Sequence, residues 1–433
     1  IERIARSSEK ANYMQSADAV IDARGKYVLP GFINMHNHIH AAPAGVPQSL
    51  QYQFNLWLGA GITTNRLLGG RAKEVRKLIQ QSESGEIAAP RIIYYAWFPG
   101  GKTEDEIRSA VRRIKASGAT GMKCWGIDRD TFRVAADEAR KLGLQIAHHV
   151  GVEDANALDD ADMGTTTIEH WYGIPDAALD GVQSFPADFN HADELDRFRY
   201  AGRLWREVDQ EKLHAVLRRL VEKGVAWDPT FAIYEASRDL QRALTNPAFA
   251  DYLHPALKKF FTPSPEHHGS FFAGWSNTDE VYWKENYAIW MRAVRDFERL
   301  GGIVTTGEDA GYIYQIYGFA YLRELQLHEE AGFHPLEVIR HATYNGARAL
   351  GMEHEIGRIK AGFSADLIVV DGNPLANLQI LLPQGLNPVL DQQRDGHGGI
   401  EWTIKQGFTY HAPTLFKQAR EIVREARKNL AEQ

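Results

Sequence analysis

Short apolar runs alternate with amphipathic segments through the middle of the chain. Eight runs have the composition of strands, among them PRIIYYAWF, LQIAHHV and GIVTTGED. The segments EDEIRSAVRRIKASG and DRDTFRVAADEARKLG carry apolar residues at helical spacing and end in glycine, where helices commonly stop. Eight strands that alternate with helices predict an α/β protein with a (β/α)₈ TIM barrel. A doubly wound open sheet is the alternative that this pattern leaves open.

The two ends of the chain have a different pattern. Short strand-like pieces with glycine turns and no helical period occupy residues 1–28 and 355–411. They predict a small β-sandwich domain built from both termini, with the barrel between them at residues 29–354. Residues 412–433 have helical periodicity and a charged outer face, which predicts a C-terminal amphipathic helix.

Composition narrows the class of partners. Hydrophobic residues make up 44% of the chain and charged residues 24%, the usual mixture of a globular protein. A net charge of −7 gives no reason to expect a nucleic acid or an anionic membrane as a partner. We expect a small-molecule substrate instead, and a homo-oligomer is an open alternative. The compartment is left open between the cytoplasm and export after loss of a signal peptide.

Histidines occupy alternate positions in the stretch PGFINMHNHIH. In an extended strand, the side chains of His36 and His38 point to the same face, as two imidazoles do when they share a metal ion. This pair alone is a weak signal. Cys124 is the only cysteine, so an internal disulfide and a thiolate zinc site are excluded. Any metal must be bound by His, Asp, Glu or a modified Lys.

Further polar residues end other predicted strands. In a barrel, these strand ends meet at the edge where catalysis occurs. Taken singly, each residue has a structural alternative, such as a hydrogen-bonded core histidine, a helix cap or an ion-pair partner. Together on one rim they would be costly to bury unless they bound a cation. Besides the first pair they are Lys123, His148 or its neighbour His149, His170 and Asp309.

These motifs resemble those of the amidohydrolase superfamily over almost the full chain. VIDARGKYVLPGFINMHNH resembles the family's entry into the first barrel strand, and IEHW and TTGEDAG resemble its sixth- and eighth-strand motifs. VIRHATYNGARALGMEHEIGRIKAGFSADLIVVDGNPL resembles its last barrel helix and the return to the β domain. The chain is most similar to the prolidase-like, aryl-dipeptidase-like and ochratoxinase-like branch.

The resemblance implies a binuclear metal-dependent hydrolase of carbon–nitrogen bonds. Enzymes of this branch bind two divalent ions, bridged by a lysine that is carboxylated on its side-chain nitrogen. Nitrogen and oxygen ligands fit Zn²⁺ best. Asp309 would also serve as the catalytic group that moves a proton from water to the leaving amine. The metal ligands that the resemblance implies are His36 and His38 at the more buried ion, His148 and His170 at the other, carboxylated Lys123 and Asp309.

Three positions depart from the family pattern. Asn34 stands where the family usually has an aspartate, and His40 has no role that the resemblance supplies. The pair at 148 and 149 leaves the fifth-strand ligand ambiguous, because adjacent strand residues face opposite ways and only one should serve. The stretch AHHVG aligns its first histidine with the family ligand, and this favours His148 over His149.

The substrate is less sharply predicted. An aromatic rim favours a flat or apolar group, as in an N-acyl amino acid, a dipeptide or an aryl amide. Arg66 could clamp a substrate carboxylate or serve as a structural ion-pair partner. The substrate-binding candidates are Arg66, Trp97, Trp171, Tyr172 and Tyr234, within a rim that also includes Tyr95, Phe98, Trp125, Tyr312 and Tyr314.

Other functions of the same fold are open alternatives. The metal centre could hydrolyse esters or lactones, since an activated hydroxide attacks any activated carbonyl. A mononuclear relative, such as a deaminase or an isomerase, is a second alternative. A non-catalytic scaffold is the third, and it should lack metal ligands, whereas none is missing here.

Overall fold

The structure is a computed structural model of the chain. It describes residues 1–9, 19–150, 155–181, 189–190, 194–264, 267, 269–270, 274–386, 388–394 and 397–432. Two sheets organise these residues, and the candidate site lies at one end of the larger sheet.

The larger sheet is a barrel of eight parallel strands whose spatial order follows the sequence. Backbone hydrogen bonds return from the end of the last strand to the first, from the Met35 N–H to the Thr306 carbonyl (2.9 Å) and from the Asp309 N–H to the His36 carbonyl (3.0 Å). The predicted TIM barrel is thereby confirmed. Its strands are β2 (Phe32–Asn37), β3 (Ile62–Leu68), β4 (Arg91–Trp97), β5 (Gly121–Trp125), β6 (Gln145–His149), β7 (Thr167–Glu169), β8 (Ala226–Asp228) and β9 (Ile303–Val304).

The smaller sheet is antiparallel and joins both ends of the chain, as predicted. Its spatial order is β1 (Tyr27–Pro30), β10 (Leu367–Val370), β11 (Ile400–Lys405) and β12 (Phe408–His411). The run YVLPGFINMH, read as one strand from the sequence, is divided between the two sheets at Gly31. A Cβ atom at this position would collide with the Thr63 side chain, so glycine is required where the chain crosses to the barrel.

Helices cover the outside of the barrel, and several begin at clear sequence signals. Thr103 and Glu106 form a reciprocal capping box, and the Asp128 side chain caps the helix that follows it. The helices are α1 (Leu50–Gly59), α2 (Ala72–Glu83), α3 (Glu104–Ala116), α4 (Arg129–Lys141), α5 (Ala157–Met163), α6 (Glu194–Ala201), α7 (Gln210–Lys223), α8 (Phe231–Arg238), α9 (Leu240–Leu244), α10 (Phe249–Tyr252), α11 (Pro255–Phe260), α12 (Asn277–Arg299), α13 (Phe319–Glu330), α14 (Pro335–Arg340), α15 (Gly346–Ala349), α16 (Pro388–Gln393) and α17 (Ala412–Ala431).

The seventh barrel strand is shorter than predicted, whereas the C-terminal helix forms as predicted. The run VAWDPTFAI is a strand only as far as Asp228, because Pro229 follows and the Glu324 carboxylate accepts the N–H groups of Phe231 and Ala232 at the start of α8. The predicted terminal helix forms as α17, and its Phe416 ring packs against Gly59 of α1. No helix among the described residues has both the length and the apolar character needed to span a bilayer.

Candidate active site

A cavity of about 430 Å³ opens at the carboxyl ends of the barrel strands. Its volume falls in the range of small-molecule sites. Side chains from the first, fourth, fifth, sixth and eighth barrel strands meet there, as the sequence predicted. The described residues that line it are His36, His38, Leu68, Gly69, Gly70, Trp97, Lys123, Trp125, His149, His170, Ile233, Tyr234, Asp309, Tyr312 and Ile313.

Asp309 lies at the centre of three histidines. Its Oδ1 atom is 3.3 Å from His38 Nε2 and 3.6 Å from His36 Nε2, and its Oδ2 atom is 3.7 Å from His170 Nε2. The Nε2 atoms of the first two histidines are 3.3 Å apart. Ligand atoms of His36, His170 and Asp309 all lie within 4.8 Å of one another, close enough to bind one ion.

The backbone turns sharply at two of these residues. His170 has φ of +63° and Asp309 has φ of +45°, in the left-handed region that non-glycine residues rarely adopt. Such a conformation costs on the order of 1–3 kcal/mol and is often found at functional sites. Here His170 directly follows β7, Asp309 lies five residues beyond the end of β9, and both side chains line the cavity.

A buried carboxylate lies beneath His36. Glu169 Oε2 is 2.7 Å from His36 Nδ1, so the opposite ring nitrogen, Nε2, faces the cavity. Thr230 Oγ1 lies 2.5 Å from His170 Nδ1, so the Nε2 atom of this ring also faces the cavity. Burial lowers the pKa of both histidines well below the usual value, which favours the neutral rings that bind metals. Glu169 and Thr230 were missed from the sequence, because such supporting contacts leave no spacing signal.

Lys123 is buried in the cavity wall. Only 2% of its surface is exposed, and its Nζ atom has no hydrogen-bond partner among the described residues. Burial lowers the pKa of this amine, which favours the neutral form that can react with CO₂. Burial also acts to raise the pKa of Asp309, but the neighbouring His36 and His38 outweigh it, so this pKa lies below its ordinary value.

The fifth-strand histidine that faces the cavity is His149, and the choice of His148 is corrected. The His148 ring stacks on Phe132 of α4 with centroids 4.3 Å apart, and its Nδ1 atom lies 2.7 Å from Asp160 Oδ1. It therefore points between the barrel and its helices. The His149 ring lies 4.5 Å from the ring of His170. Because adjacent strand residues face opposite ways, only one of the two histidines can face the cavity, and in the structure it is His149.

The donor set fits a divalent metal ion. It contains nitrogen and oxygen atoms and no sulfur, a chemistry that suits Zn²⁺ among other cations. Lys123 Nζ and Asp309 Oδ1 are buried without a hydrogen bond to any described residue. Each such group costs roughly 1–3 kcal/mol when unsatisfied, and a bound cation would remove this cost.

Comparison with known proteins shows the family to which the chain belongs. The model of the amidohydrolase family matches residues 27–183 and 290–390, more than half of the chain. The chain belongs to the amidohydrolase family. The resemblance inferred from the sequence is thereby confirmed, and the protein is a hydrolase. No curated protein sequence matches it significantly.

Solved structures share the fold of this amidohydrolase at low sequence identity. A bottromycin amidohydrolase is 17% identical, with 93% of this chain and 81% of that chain covered and a TM-score of 0.64. A Xaa-Pro dipeptidase with bound methionine is 19% identical, with coverages of 90% and 87% and a TM-score of 0.58. The ochratoxinase of A. niger is 16% identical, with coverages of 89% and 83% and a TM-score of 0.58.

Arg66 has a structural position in this amidohydrolase. Its side chain is fully buried inside the barrel, where Nη2 donates to Glu169 Oε1 (2.6 Å) and Nη1 donates to Thr167 Oγ1 (2.5 Å). Its Nε atom donates to the Met35 carbonyl. The structure therefore places Arg66 outside the cavity lining and matches the alternative of a structural ion-pair partner.

The predicted aromatic residues divide into two groups. Trp97, Trp125, Tyr234 and Tyr312 line the cavity, and Tyr172 stacks on His149 with centroids 4.8 Å apart. The others lie elsewhere: Trp171 is buried against Trp283, Tyr95 lies beside Arg66 inside the barrel, Phe98 packs in the core, and Tyr314 lines a second cavity.

Asn34 and His40, the two departures from the family pattern, have defined positions. Asn34 Oδ1 accepts hydrogen bonds from the N–H groups of Glu308 (3.1 Å) and His36 (3.3 Å). The hydrogen bond from Glu308 connects the first barrel strand with the segment that follows the last one. It needs only an acceptor oxygen, which asparagine supplies. The Nδ1 atom of His40 lies 2.8 Å from the hydroxyl of Tyr317, and the ring is outside the cavity lining.

Proposed function

We propose that this amidohydrolase cleaves the carbon–nitrogen bond of a small-molecule amide at a centre of two divalent ions, most consistent with Zn²⁺. The observation that carries the proposal is the convergence of six ligand-type side chains on one cavity, three of them within 3.7 Å of Asp309. The family membership supports it, and so does the likeness in fold to a Xaa-Pro dipeptidase and a bottromycin amidohydrolase.

The proposed ligands follow from which side chains face the cavity. His36 and His38 would bind one ion, and His149 and His170 would bind the other. Lys123, carboxylated on its side-chain nitrogen, would bind both ions, and its buried amine has no hydrogen-bond partner among the described residues. When bound, the ions supply a lowered water pKa, to about 7, and polarisation of the scissile carbonyl.

The chain's own residues then manage protons and position. In the proposed hydrolysis, water adds to the amide carbonyl and the carbon–nitrogen bond breaks. The products are a carboxylic acid and an amine. Asp309, ionised at neutral pH because its pKa is low, accepts the water proton and delivers it to the leaving nitrogen. The ring centroids of Tyr234 and Tyr312 lie 5.3 Å from that of His170 and 5.8 Å from that of His38, so both rings would be next to a carbonyl bound at these histidines.

The test combines metal content with turnover. Hydrolysis of N-acyl amino acids, dipeptides, aryl amides and aryl esters is measured before and after chelation, and again after Zn²⁺ is returned. We expect amide cleavage that is lost on chelation and restored by metal. Asp309→Asn should lower kcat by about 10²–10⁴-fold, whereas Asp130→Asn, at a 91% exposed side chain on α4, should not change it. Activity that resists chelation would overturn the proposal.

A further inference from the structure

The cavity is poor in cationic side chains. Among the described residues that line it, Lys123 is the only lysine or arginine, and the proposed function uses it as a bridging carbamate. Arg66 is fully buried and paired with Glu169. Arg71, which follows the cavity-lining Gly70, has an 86% exposed side chain 3.3 Å from Glu74 of its own helix. A substrate carboxylate away from the reacting carbonyl would therefore lose hydration without gaining a lysine or arginine partner from the described lining.

A series of aromatic rings leads from the cavity mouth towards the metal-ligand side chains. The Trp97 ring lies 6.0 Å from the Trp125 ring, and the latter lies 6.2 Å from the His149 ring. Trp97 is 45% exposed, whereas Trp171, Trp205 and Trp227 are almost completely buried. An exposed indole at a cavity mouth retains apolar surface that an aromatic ligand can cover, and removal of this surface from water favours binding.

The facing wall is also uncharged. Ile233, Tyr234, Tyr312 and Ile313 come from the segments that follow the seventh and eighth barrel strands. On the Trp97 side, Gly69 follows the second barrel strand, and no described atom lies within 4 Å of the place where its Cβ atom would stand, so the cavity is open beside this residue. The two walls leave a space suited to a flat, neutral group.

We infer that the substrate is an amide whose distal group is aromatic and uncharged, held by Trp97 and Trp125, and that a free carboxylate on this group is disfavoured. This inference rests on the proposed function and narrows it. It favours neutral amides that carry an aromatic group over dipeptides and N-acyl amino acids, which carry a free carboxylate. Trp97 and Trp125 would then be specificity-determining residues that leave the bond cleavage itself unchanged.

The experiment compares matched substrates on the metal-loaded full chain. N-acetylphenylalaninamide and N-acetylphenylalanine have nearly the same size and differ in one charge, and N-acetylphenethylamine lacks the group altogether. Acetate release is measured, because it reports cleavage of the N-acetyl bond in all three compounds and excludes cleavage of the primary amide in the first. We expect kcat/KM for each neutral compound to exceed that for the carboxylate by at least about tenfold. Trp97→Ala and Trp125→Ala should lower the neutral values by roughly tenfold, and Trp97→Phe should largely retain them. The controls are Trp402→Ala, in β11, and Arg71→Ala.

A separate binding measurement distinguishes failure of this inference from failure of the proposed function. Tryptophan fluorescence of the metal-free chain is titrated with 3-phenylpropanol, which cannot be hydrolysed. Binding that both alanine variants weaken by about fivefold or more supports the inference even if no amide is cleaved. Equal or faster turnover of the carboxylate, loss of its turnover in Arg71→Ala, absence of alcohol binding, or binding unaffected by both alanine variants would each overturn the inference.

Discussion

His148 and His149 are consecutive in β6 and lie on opposite sides of the barrel wall. The first pairs with Asp160 beneath the surrounding helices, and the second lines the cavity beside His170. The pleat of one strand thus separates a structural histidine from a site histidine.

The two substitutions should have opposite effects. His149→Ala should lower the metal content by about one equivalent and reduce kcat/KM by at least about 100-fold, because a ligand is lost. His148→Ala should keep its metal but unfold at lower temperature, because the buried Asp160 loses a partner and Phe132 loses its stacked ring. Elemental analysis of both variants shows which histidine binds metal, and thermal unfolding shows which one stabilises the fold. Metal loss in the second variant alone would contradict the assignment.

Glu169 should act on the metal through His36. Because its carboxylate lies against His36 Nδ1, Glu169→Gln should weaken metal affinity by about 10–100-fold, measured by competition with a chelator. Asp228→Asn is the matched control. Burial, followed by the charge of Glu169, raises the pKa of Asp228 well above its usual value, which lowers the cost of replacing this carboxyl group by an amide. Equal weakening by both substitutions would contradict a positioning role for Glu169.

Much of this arrangement could be predicted from the sequence, for definite physical reasons. Alternating apolar runs and helix caps predict the barrel, and residues at strand ends, such as Asp309, must meet at one edge. The face of a strand on which a doubled histidine lies depends on a one-residue register, which a single sequence does not specify. The role of Arg66 was ambiguous for a related reason. Its partners Glu169 and Thr167 are about 100 residues away along the chain, and no local sequence pattern indicates these contacts.

Replacing Arg66 should affect stability more than substrate binding. Arg66→Met would leave the buried Glu169 carboxyl group without its arginine partner, at a cost of about 3–5 kcal/mol in the free energy of unfolding. Urea denaturation measures this loss. A raised KM for a carboxylated substrate with unchanged stability would instead show that Arg66 clamps the substrate.

The buried His341 should make the fold sensitive to acid. Burial lowers the pKa of this ring to about 4, despite its contact with Glu298 Oε1 at 2.8 Å, and His328 lies at its other nitrogen. Between pH 6.5 and 4 the unfolded chain binds the proton and the folded chain does not, so stability falls as the pH falls. Relative to His341→Gln, the protein should lose up to about 3 kcal/mol over this window. Parallel stability curves for the two proteins would contradict this prediction.

We propose that the cavity binds a pair of divalent metal ions, with carboxylated Lys123 as a ligand of both. The most direct measurement is metal content per chain, by elemental analysis of protein loaded with Zn²⁺ and bicarbonate, for the wild type and for Lys123→Ala. We predict about two equivalents in the wild type and at most about one in the variant. A wild-type chain that binds no metal, or a variant that binds as much as the wild type, would contradict the account.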